Sequence, residues 1–143
     1  MRCDEVMKED VFSVAPDDSV QVAATKMRDH NIGFLPVINP SRRVVGTVTD
    51  RDLALRVLAA GLTEDTAIKD VMTRELISCL TTDDLQRALQ RMRHFQKSRI
   101  MCLDGQGKLA GVISLSDIAQ CENDEQTAKV LRDVSQRETS QLH

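Results

Sequence analysis

An internal repeat constrains the fold of this chain more than any other feature of its sequence. A shift of 65 residues superposes the two halves without a gap and gives eleven identities between residues 6 and 54. The period is longer than the roughly 20–50 residues typical of solenoid repeats. Two copies of this length therefore predict a pseudo-symmetric pair of units. The identities include the pairs Met7/Met72, Gly46/Gly111 and Asp52/Asp117.

Hydrophobic spacing predicts a buried helix face near the start of each repeat. Apolar residues stand at i, i+3, i+4 and i+7, the period of one face of an α-helix. Acidic and hydroxyl residues before each stripe are suitable N-caps, and we expect Asp17 or Asp18, and Thr82 or Asp83, in that role. The stripes are Val20, Ala23, Ala24 and Met27, and Leu85, Ala88, Leu89 and Met92.

The remaining pattern predicts the order β-α-β-β-α in each repeat. Short strands at 12–14 and 77–79 precede the first helices, hairpins follow at 33–49 and 99–114, and second helices at 51–60 and 115–121. We therefore expect an α+β fold, with the two units packed as a pseudo-two-fold pair. The predicted domains are repeat one at 3–61, repeat two at 62–121, and a polar C-terminal helix to about residue 137 with a tail, within 122–143.

Composition excludes several classes of partner. The chain has three Phe and no Trp or Tyr, so it lacks the aromatic platforms on which nucleic-acid bases stack. Its net charge is −3 and it has no basic block, which argues against binding a nucleic-acid backbone. No apolar run approaches the ~20 residues of a membrane span. We expect a cytoplasmic protein without a membrane partner.

The cysteines and histidines do not predict a metal site or a catalytic centre. No pair forms Cys-x-x-Cys, and no His stands at ligand spacing from a Cys. Cys79 and Cys102 lie in apolar runs and are interpreted as small core residues. No nucleophile has a base beside it, so we expect neither a metal site nor enzymatic activity.

A polar motif follows each hairpin: Gly-x-hydrophobic-[Thr/Ser]-x-x-Asp, at 46–52 and 111–117. One interpretation is a capping box, in which Thr49 and Ser114 only satisfy free backbone N–H groups. The other is a ligand site. A hydroxyl at the start of a helix can contact a phosphate, and a carboxylate one turn on can accept from ribose hydroxyls. Arg51 could then face a phosphate, whereas its counterpart Ser116 is uncharged, so the two sites would be unequal.

The duplication, the element order and these motifs resemble the cystathionine β-synthase (CBS) domain pair, or Bateman module, over roughly residues 3–121. No single motif is specific, but their order occurs twice at fixed spacing. The segments that carry the resemblance are Val6-Met7, 19–24, 32–37 and 45–53 in repeat one, and 71–73, 84–89 and 109–118 in repeat two.

This resemblance implies a regulatory module that binds adenosine ligands (AMP, ADP, ATP, NAD or S-adenosylmethionine) in clefts between the repeats. Thr49 and Asp52, with Ser114 and Asp117, would contact phosphate and ribose. No cofactor is required, although Mg²⁺ or Arg51 would have to offset the charge of Asp50 and Asp52 against a polyphosphate. The residues that the resemblance assigns to adenine are Val14, Ala15, Leu35 and Pro36, and Cys79, Leu80, Ile100 and Met101.

The resemblance also implies a homodimer and an effector protein that receives the signal. Leu53, Leu55, Val57 and Leu58 are expected to stay uncovered within one unit and to form the dimer contact. Repeat two departs from the family pattern, since Met101 replaces the Pro found at position 36, and Lys97 or Arg99 would have to supply its positive charge. The alternative is a structural or protein-interaction module whose clefts stay empty.

Overall fold

The computed structural model describes residues 1–121, 129 and 131–136, and these form two compact units. One unit is Phe12–Leu76. The other combines Met1–Val11 with the described residues from Ile77 onward. The units and the sequence repeats therefore divide the chain differently. The residues before the first helix of repeat one pack in the unit that contains the hairpin of repeat two, and those before the first helix of repeat two pack in the unit that contains the hairpin of repeat one. The predicted α+β class is confirmed.

The unit Phe12–Leu76 is built on a two-stranded antiparallel hairpin, and its helices adjoin one end of the hairpin, where the first strand begins and the second strand ends. The predicted strand at 12–14 is reduced to one parallel bridge between Val14 and Val37, which leaves it at the edge of the hairpin. The second helix begins as α-helix and continues as π-helix. The elements are α1 (Val20–His30), β1 (Phe34–Ile38), β2 (Val44–Thr49), α2 (Asp50–Asp52) and its π-helical extension Leu53–Leu58.

The other unit contains a three-stranded sheet in which the first strand is parallel to the second and the third is antiparallel. Its first strand begins one residue later than predicted. Residues 129 and 131–136 are helical, and the other residues of the predicted C-terminal helix and tail lie outside the described part. The elements are β3 (Ser78–Leu80), α3 (Leu85–Phe95), β4 (Arg99–Leu103), β5 (Leu109–Ser114) and α4 (Leu115–Cys121).

Helix α1 begins after Ser19 and helix α3 after Asp84. Each cap side chain accepts a hydrogen bond from a backbone N–H in the first turn, at 3.3 Å for Ser19 and 2.9 Å for Asp84. The predicted caps, Asp17 or Asp18 and Thr82 or Asp83, are wrong. Asp18 and Asp83 instead accept from the backbone N–H three residues before them, at 2.9 and 2.8 Å, and so close the turn that leads into each helix.

The predicted helix stripes form the cores of the units, with one exception. All four stripe residues of α3 are buried, as are Val20, Ala23 and Met27 of α1, but Ala24 is exposed. Position 24 lies at the margin of the apolar face. Leu89 occupies the equivalent position in α3, and its longer side chain reaches the core from there. The burial predicted for Ala24 is therefore wrong.

The second helix of the unit Phe12–Leu76 exposes two of its four large apolar residues. Leu55 is 52% exposed and Leu58 is 80% exposed, whereas Val57 is buried and Leu53 packs against the core. Leu53 and Val57 are one turn apart and share the inner face. The prediction that all four residues stay uncovered is therefore wrong for Leu53 and Val57.

Each unit is completed by a leading segment, residues 3–8 in one unit and the equivalent residues 68–73 in the other, which pairs with the last strand of the hairpin. Lys8 and Val112 exchange two backbone hydrogen bonds, both of 3.0 Å. Thr73 and Thr47 do the same at 2.9 Å. The two pairs are equivalent under the 65-residue shift, so this strand pairing occurs once in each unit at matching positions.

We predict that Leu89→Ala lowers the free energy of unfolding by about 2–5 kcal/mol, because Leu89 is 3% exposed and its truncation leaves a cavity in the core. Leu62→Ala is the matched control, since Leu62 is 47% exposed and loses few contacts. Urea unfolding followed by circular dichroism measures both. An unfolding midpoint for Leu89→Ala equal to that of the parent protein would contradict the assigned helix phase.

Candidate functional site

The motif of the unit Phe12–Leu76 forms a reciprocal capping box at the point where β2 passes into α2. The Thr49 hydroxyl accepts from the Asp52 backbone N–H at 3.1 Å, and the Asp52 carboxylate accepts from the Thr49 backbone N–H at 3.0 Å. Arg51, between them, has an exposed side chain. The capping interpretation of the motif is thus confirmed as a contact. It uses one carboxylate oxygen of Asp52.

The other carboxylate oxygen of Asp52 faces the leading segment. Thr73 donates its hydroxyl to Oδ1 at 3.5 Å, and the Arg56 guanidinium lies 3.8 Å from the same atom. Arg56 also donates to the carbonyl oxygens of Val71 and Met72, at 3.1 and 3.2 Å. The side chain of Asp52 is only 14% exposed, and contacts on both of its carboxylate oxygens hold it in place.

The second motif repeats this arrangement with different partners. Asp117 accepts from the backbone N–H of Ser114 at 2.8 Å and from its hydroxyl at 2.9 Å. The Ser114 hydroxyl is also 2.8 Å from that of Ser116. Lys8 of the leading segment places its ammonium 3.5 Å from the second oxygen of Asp117. Asp117 is 5% exposed and thus more enclosed than Asp52.

Sequence reasoning missed Lys8, Thr73 and Arg56 as neighbours of the carboxylates. The signal for two of them was present, because Lys8 and Thr73 are equivalent under the 65-residue shift and directly follow the Val-Met pair of each repeat. Only the fold brings them to the motif carboxylates, because Thr73 is 21 residues from Asp52 and Lys8 is 109 residues from Asp117 in the sequence. Arg56 could have been placed beside Asp52 by its i+4 spacing on one helix.

The glycine of each motif gives the leading segment room to approach. A Cβ on Gly111 would lie 2.8 Å from the Lys8 carbonyl oxygen and 2.8 Å from two side-chain atoms of Met7. A Cβ on Gly46 would lie 2.7 Å from the sulfur of Met72. Such distances are below normal van der Waals contact. In each unit, therefore, the glycine and the methionine that are identical between the repeats pack against each other.

The residues assigned to adenine in the unit Phe12–Leu76 form a continuous group, but most of their side chains are buried. Val14 donates its N–H to the Pro36 carbonyl oxygen at 3.0 Å, and its own carbonyl oxygen accepts from Ile38. Val14, Leu35 and Pro36 are buried and Ala15 is exposed. Ala15 is thus the residue of this group that solvent reaches most readily.

The corresponding group of the other unit is similar. Cys79, Ile100 and Met101 are buried, whereas Leu80 is 47% exposed. Lys97 and Arg99 are both exposed. Arg99 lies directly opposite Ser114 in the β4–β5 pair, so the structure brings this positive charge to the second motif.

The chain shows similarity to known proteins in sequence as well as in fold. Its sequence matches the family model described as "CBS domain" twice, over residues 3–59 and 68–123. The chain belongs to the CBS domain family. The CBS domain-containing protein YhcV of Bacillus subtilis is 36% identical to it over 115 residues, which cover 80% of this chain and 81% of YhcV.

Solved structures share the architecture of the CBS pair. The CBS domain protein PAE2072 from Pyrobaculum aerophilum, complexed with AMP, superposes with a TM-score of 0.75 at 23% identity, covering 95% of this chain and 99% of that one. The CBS domain pair of protein MJ0100, in complex with 5′-methylthioadenosine and S-adenosyl-L-methionine, gives 0.73 at 22% identity, covering 84% and 94%. At these identities the likeness shows the fold.

The helices of the CBS repeats are short. Within the described residues, none has the length and apolar character that crossing a bilayer demands.

We predict that Gly111→Ala lowers the free energy of unfolding by about 1–3 kcal/mol, because the added methyl group overlaps backbone as well as side chain of the leading segment. Gly105→Ala is the matched control in the same CBS repeat, since no atom lies within 4 Å of its added Cβ. Thermal unfolding of the two variants measures the difference. Equal melting temperatures would show that the leading segment does not pack on β5 in solution.

Proposed function

We propose that this CBS pair is a regulatory module that binds an adenosine ligand at its two motifs. The observation that carries the proposal is the pairing of a hydroxyl and a carboxylate where a hairpin passes into a helix, present in both repeats. Membership of the CBS family supports it, as do the AMP bound by PAE2072 and the S-adenosylmethionine and methylthioadenosine bound by MJ0100.

The chemistry of the motif suits a nucleoside with a phosphate. The carboxylate of Asp52 would accept from ribose hydroxyls, and the hydroxyl of Thr49 would contact a phosphate oxygen. To do so, Asp52 would exchange its 3.5 Å contact with Thr73 for a bond to ribose while keeping its capping bond to Thr49. Arg51 has an exposed side chain that can turn toward the phosphate.

The two motifs would differ in affinity. In repeat two, Asp117 is almost fully enclosed and already faces the ammonium of Lys8. Ser116 stands in place of Arg51, so a phosphate there would depend on Lys97 or on Arg99, which lies opposite Ser114. We therefore propose the first motif, with Ala15 beside its adenine position, as the better site.

The adenine contacts are proposed from the same group of strands. Val14, Leu35 and Pro36 would form the wall of the first site, and Cys79, Leu80, Ile100 and Met101 that of the second. Their backbone groups are largely used in strand pairing, so shape and the exposed Ala15 and Leu80 would decide how adenine lies.

The signal would pass to an effector protein in the cytoplasm, and no catalytic step is proposed. Mg²⁺ would enter only with a polyphosphate ligand, where it offsets the charges of Asp50 and Asp52.

The second candidate function is a structural or protein-interaction module. The formed capping boxes favour it, because Thr49, Asp52, Ser114 and Asp117 already have protein partners. Under this alternative the four residues stabilise helix starts and bind nothing else.

One variant separates the two candidates. We predict that Asp52→Ala weakens AMP binding by about 10- to 150-fold, since a carboxylate–hydroxyl bond contributes roughly 1.5–3 kcal/mol. Isothermal titration measures the affinity and thermal unfolding measures the stability of the same sample. Asp117→Ala should have a smaller effect on AMP affinity if the second site is the weaker one.

Asp29→Ala is the matched control, because Asp29 is an exposed acid of the same unit and its carboxylate pairs with its neighbour Arg28. The interaction-module alternative predicts that Asp52→Ala costs up to about 1–2 kcal/mol in stability and leaves AMP affinity unchanged. That result, or a parent protein that does not bind AMP, would reject the proposed AMP site.

We also propose a homodimer in which Leu55 and Leu58 of two chains meet in an isologous contact, the commonest symmetry of oligomers. Sedimentation at micromolar concentration should give about twice the chain mass of 16.0 kDa. Leu58→Glu should produce monomers, because it places a charge in the contact, whereas Leu131→Glu, at a 48% exposed leucine of the other unit, should not. A monomeric parent protein would refute the dimer.

A further inference from the structure

Three of the four cysteines meet in the core of the unit that contains Ile77 and the residues after it. The sulfur of Cys79 is 3.6 Å from that of Cys3 and 3.6 Å from that of Cys102. The three residues come from the leading segment, β3 and β4, and are 76 and 23 residues apart in sequence. All three are buried, with free thiols, while Cys121 is exposed. Cys79 is therefore the centre of a cluster of three thiols.

The other repeat shows what core packing alone uses at these places. The equivalents of Cys3, Cys79 and Cys102 are Ile68, Val14 and Val37, all buried in the core of the unit Phe12–Leu76. Val14 and Val37 are bridged across neighbouring strands, as Cys79 and Cys102 are. Three aliphatic residues thus fill the same positions, so the packing does not require sulfur.

The strand register suits a covalent bond between Cys79 and Cys102. They are directly paired residues of the parallel strands β3 and β4. Neighbouring strands lie about 4.7–4.9 Å apart, within the Cα separation of about 4.4–6.8 Å that disulfides span. Closing the sulfurs from 3.6 Å to the disulfide length of about 2.05 Å needs only side-chain movement and a small backbone shift.

Cys79 is buried, but it lines a cavity that offers a small oxidant a route from the surface. A cavity of about 260 Å³ reaches the surface of this unit, and Cys79 is its one cysteine lining residue; the others are Ser78, Leu80, Asp83, Arg87 and Arg91. A metal ion is the less suitable occupant of the cluster. In the described part of the chain, no three or more His, Cys, Asp or Glu side chains are arranged to hold one.

We infer that Cys79 is a disulfide-forming site, with Cys102 as its first partner and Cys3 as its alternative partner, and that a hydroperoxide is the oxidant. Cys79 gives its proton to water and its sulfur attacks the peroxide, whose O–O bond breaks. This yields a sulfenic acid at Cys79 and releases an alcohol, or water from hydrogen peroxide. The sulfur of Cys102 then attacks that of Cys79, hydroxide leaves and takes up the proton of Cys102. Two thiols are oxidised by two electrons and the peroxide is reduced.

Protonation makes this reaction slower than that of an exposed thiol. Burial raises the pKa of the Cys3 thiol to about 12, and the pKa of Cys79 is raised by its hydrogen bond with Cys102 and by burial. Because the thiolate is the reactive form, the folded protein needs excess peroxide and long incubation.

The test uses the folded full chain with Cys121→Ser, so that only the cluster is counted. Hydrogen peroxide is added, and the protein is then denatured in the presence of N-ethylmaleimide, which labels each free thiol. The intact mass gives the number of labels. The reduced protein should carry three labels and the oxidised protein one label, and before labelling the oxidised protein should have lost about 2 Da apart from any oxygen added to methionine. Tryptic peptides should show the peptide of Cys79 joined to that of Cys102.

Single variants in the same background test the central place of Cys79. After oxidation, Cys79→Ala should keep both remaining thiols, because the sulfur contacts of Cys3 and Cys102 within the cluster are both with Cys79. Cys102→Ala should join Cys3 to Cys79, and Cys3→Ala should join Cys79 to Cys102, so each should lose both thiols. Circular dichroism checks that each variant is folded. If a variant does not fold, the peptide map of the Cys121→Ser protein still tests which cysteines are joined.

Three outcomes would overturn the inference. The first is a folded protein that keeps three labels after its methionines have been oxidised. The second is addition of oxygen to a cysteine without loss of a second thiol. The third is a disulfide that forms without Cys79, either between Cys3 and Cys102 or between two chains.

Discussion

The close approach of a leading segment to the glycine of each motif organises the rest of the structure. A Cβ at Gly111 would overlap Met7 and the Lys8 backbone, and a Cβ at Gly46 would overlap Met72. This approach lets the segment pair with the last strand of the hairpin through two backbone hydrogen bonds. Without it, the outer edges of β2 and β5 would lack that pairing, and buried backbone groups without partners are costly.

The same approach decides the surroundings of the candidate ligand site. Each leading segment delivers one polar side chain to the motif carboxylate, Thr73 to Asp52 and Lys8 to Asp117. Hydroxyl and ammonium differ in charge, so the two carboxylates have different electrostatic surroundings although the backbone is the same. The positive neighbour of Asp52 is instead Arg56 of its own helix, whereas that of Asp117 is Lys8 of the leading segment.

The two units share a framework and differ in the residues placed on it. At three equivalent core positions one unit uses Ile and Val and the other uses Cys. Apolar burial stabilises both sets, because it depends on surface removed from water more than on the atoms that fill the space. Duplication therefore keeps the packing while the chemistry of one copy changes, both in the core and at the motif.

Much of the fold follows from local sequence. The period of the apolar residues determined the phase of α3, and the predicted hairpin at 99–114 and helix at 115–121 match the outer ends of β4 and β5 and the bounds of α4. The capping spacing of Thr49 and Asp52 is also local, which is why the capping box could be predicted. Errors arose where neighbouring residues compete. Ser19 and Asp84 cap the first helices because Asp18 and Asp83 are used by the preceding turns.

What the sequence by itself determined is the repeat, its element order and the identity of the motif residues, since these depend on contacts between residues close along the chain. Only the tertiary structure decided which repeat each leading segment completes, which side chains face Asp52 and Asp117, and that Cys3 reaches Cys79. Those contacts join residues far apart in sequence. No periodicity encodes them, because the choice of partner depends on the shape that both packed surfaces acquire only after folding.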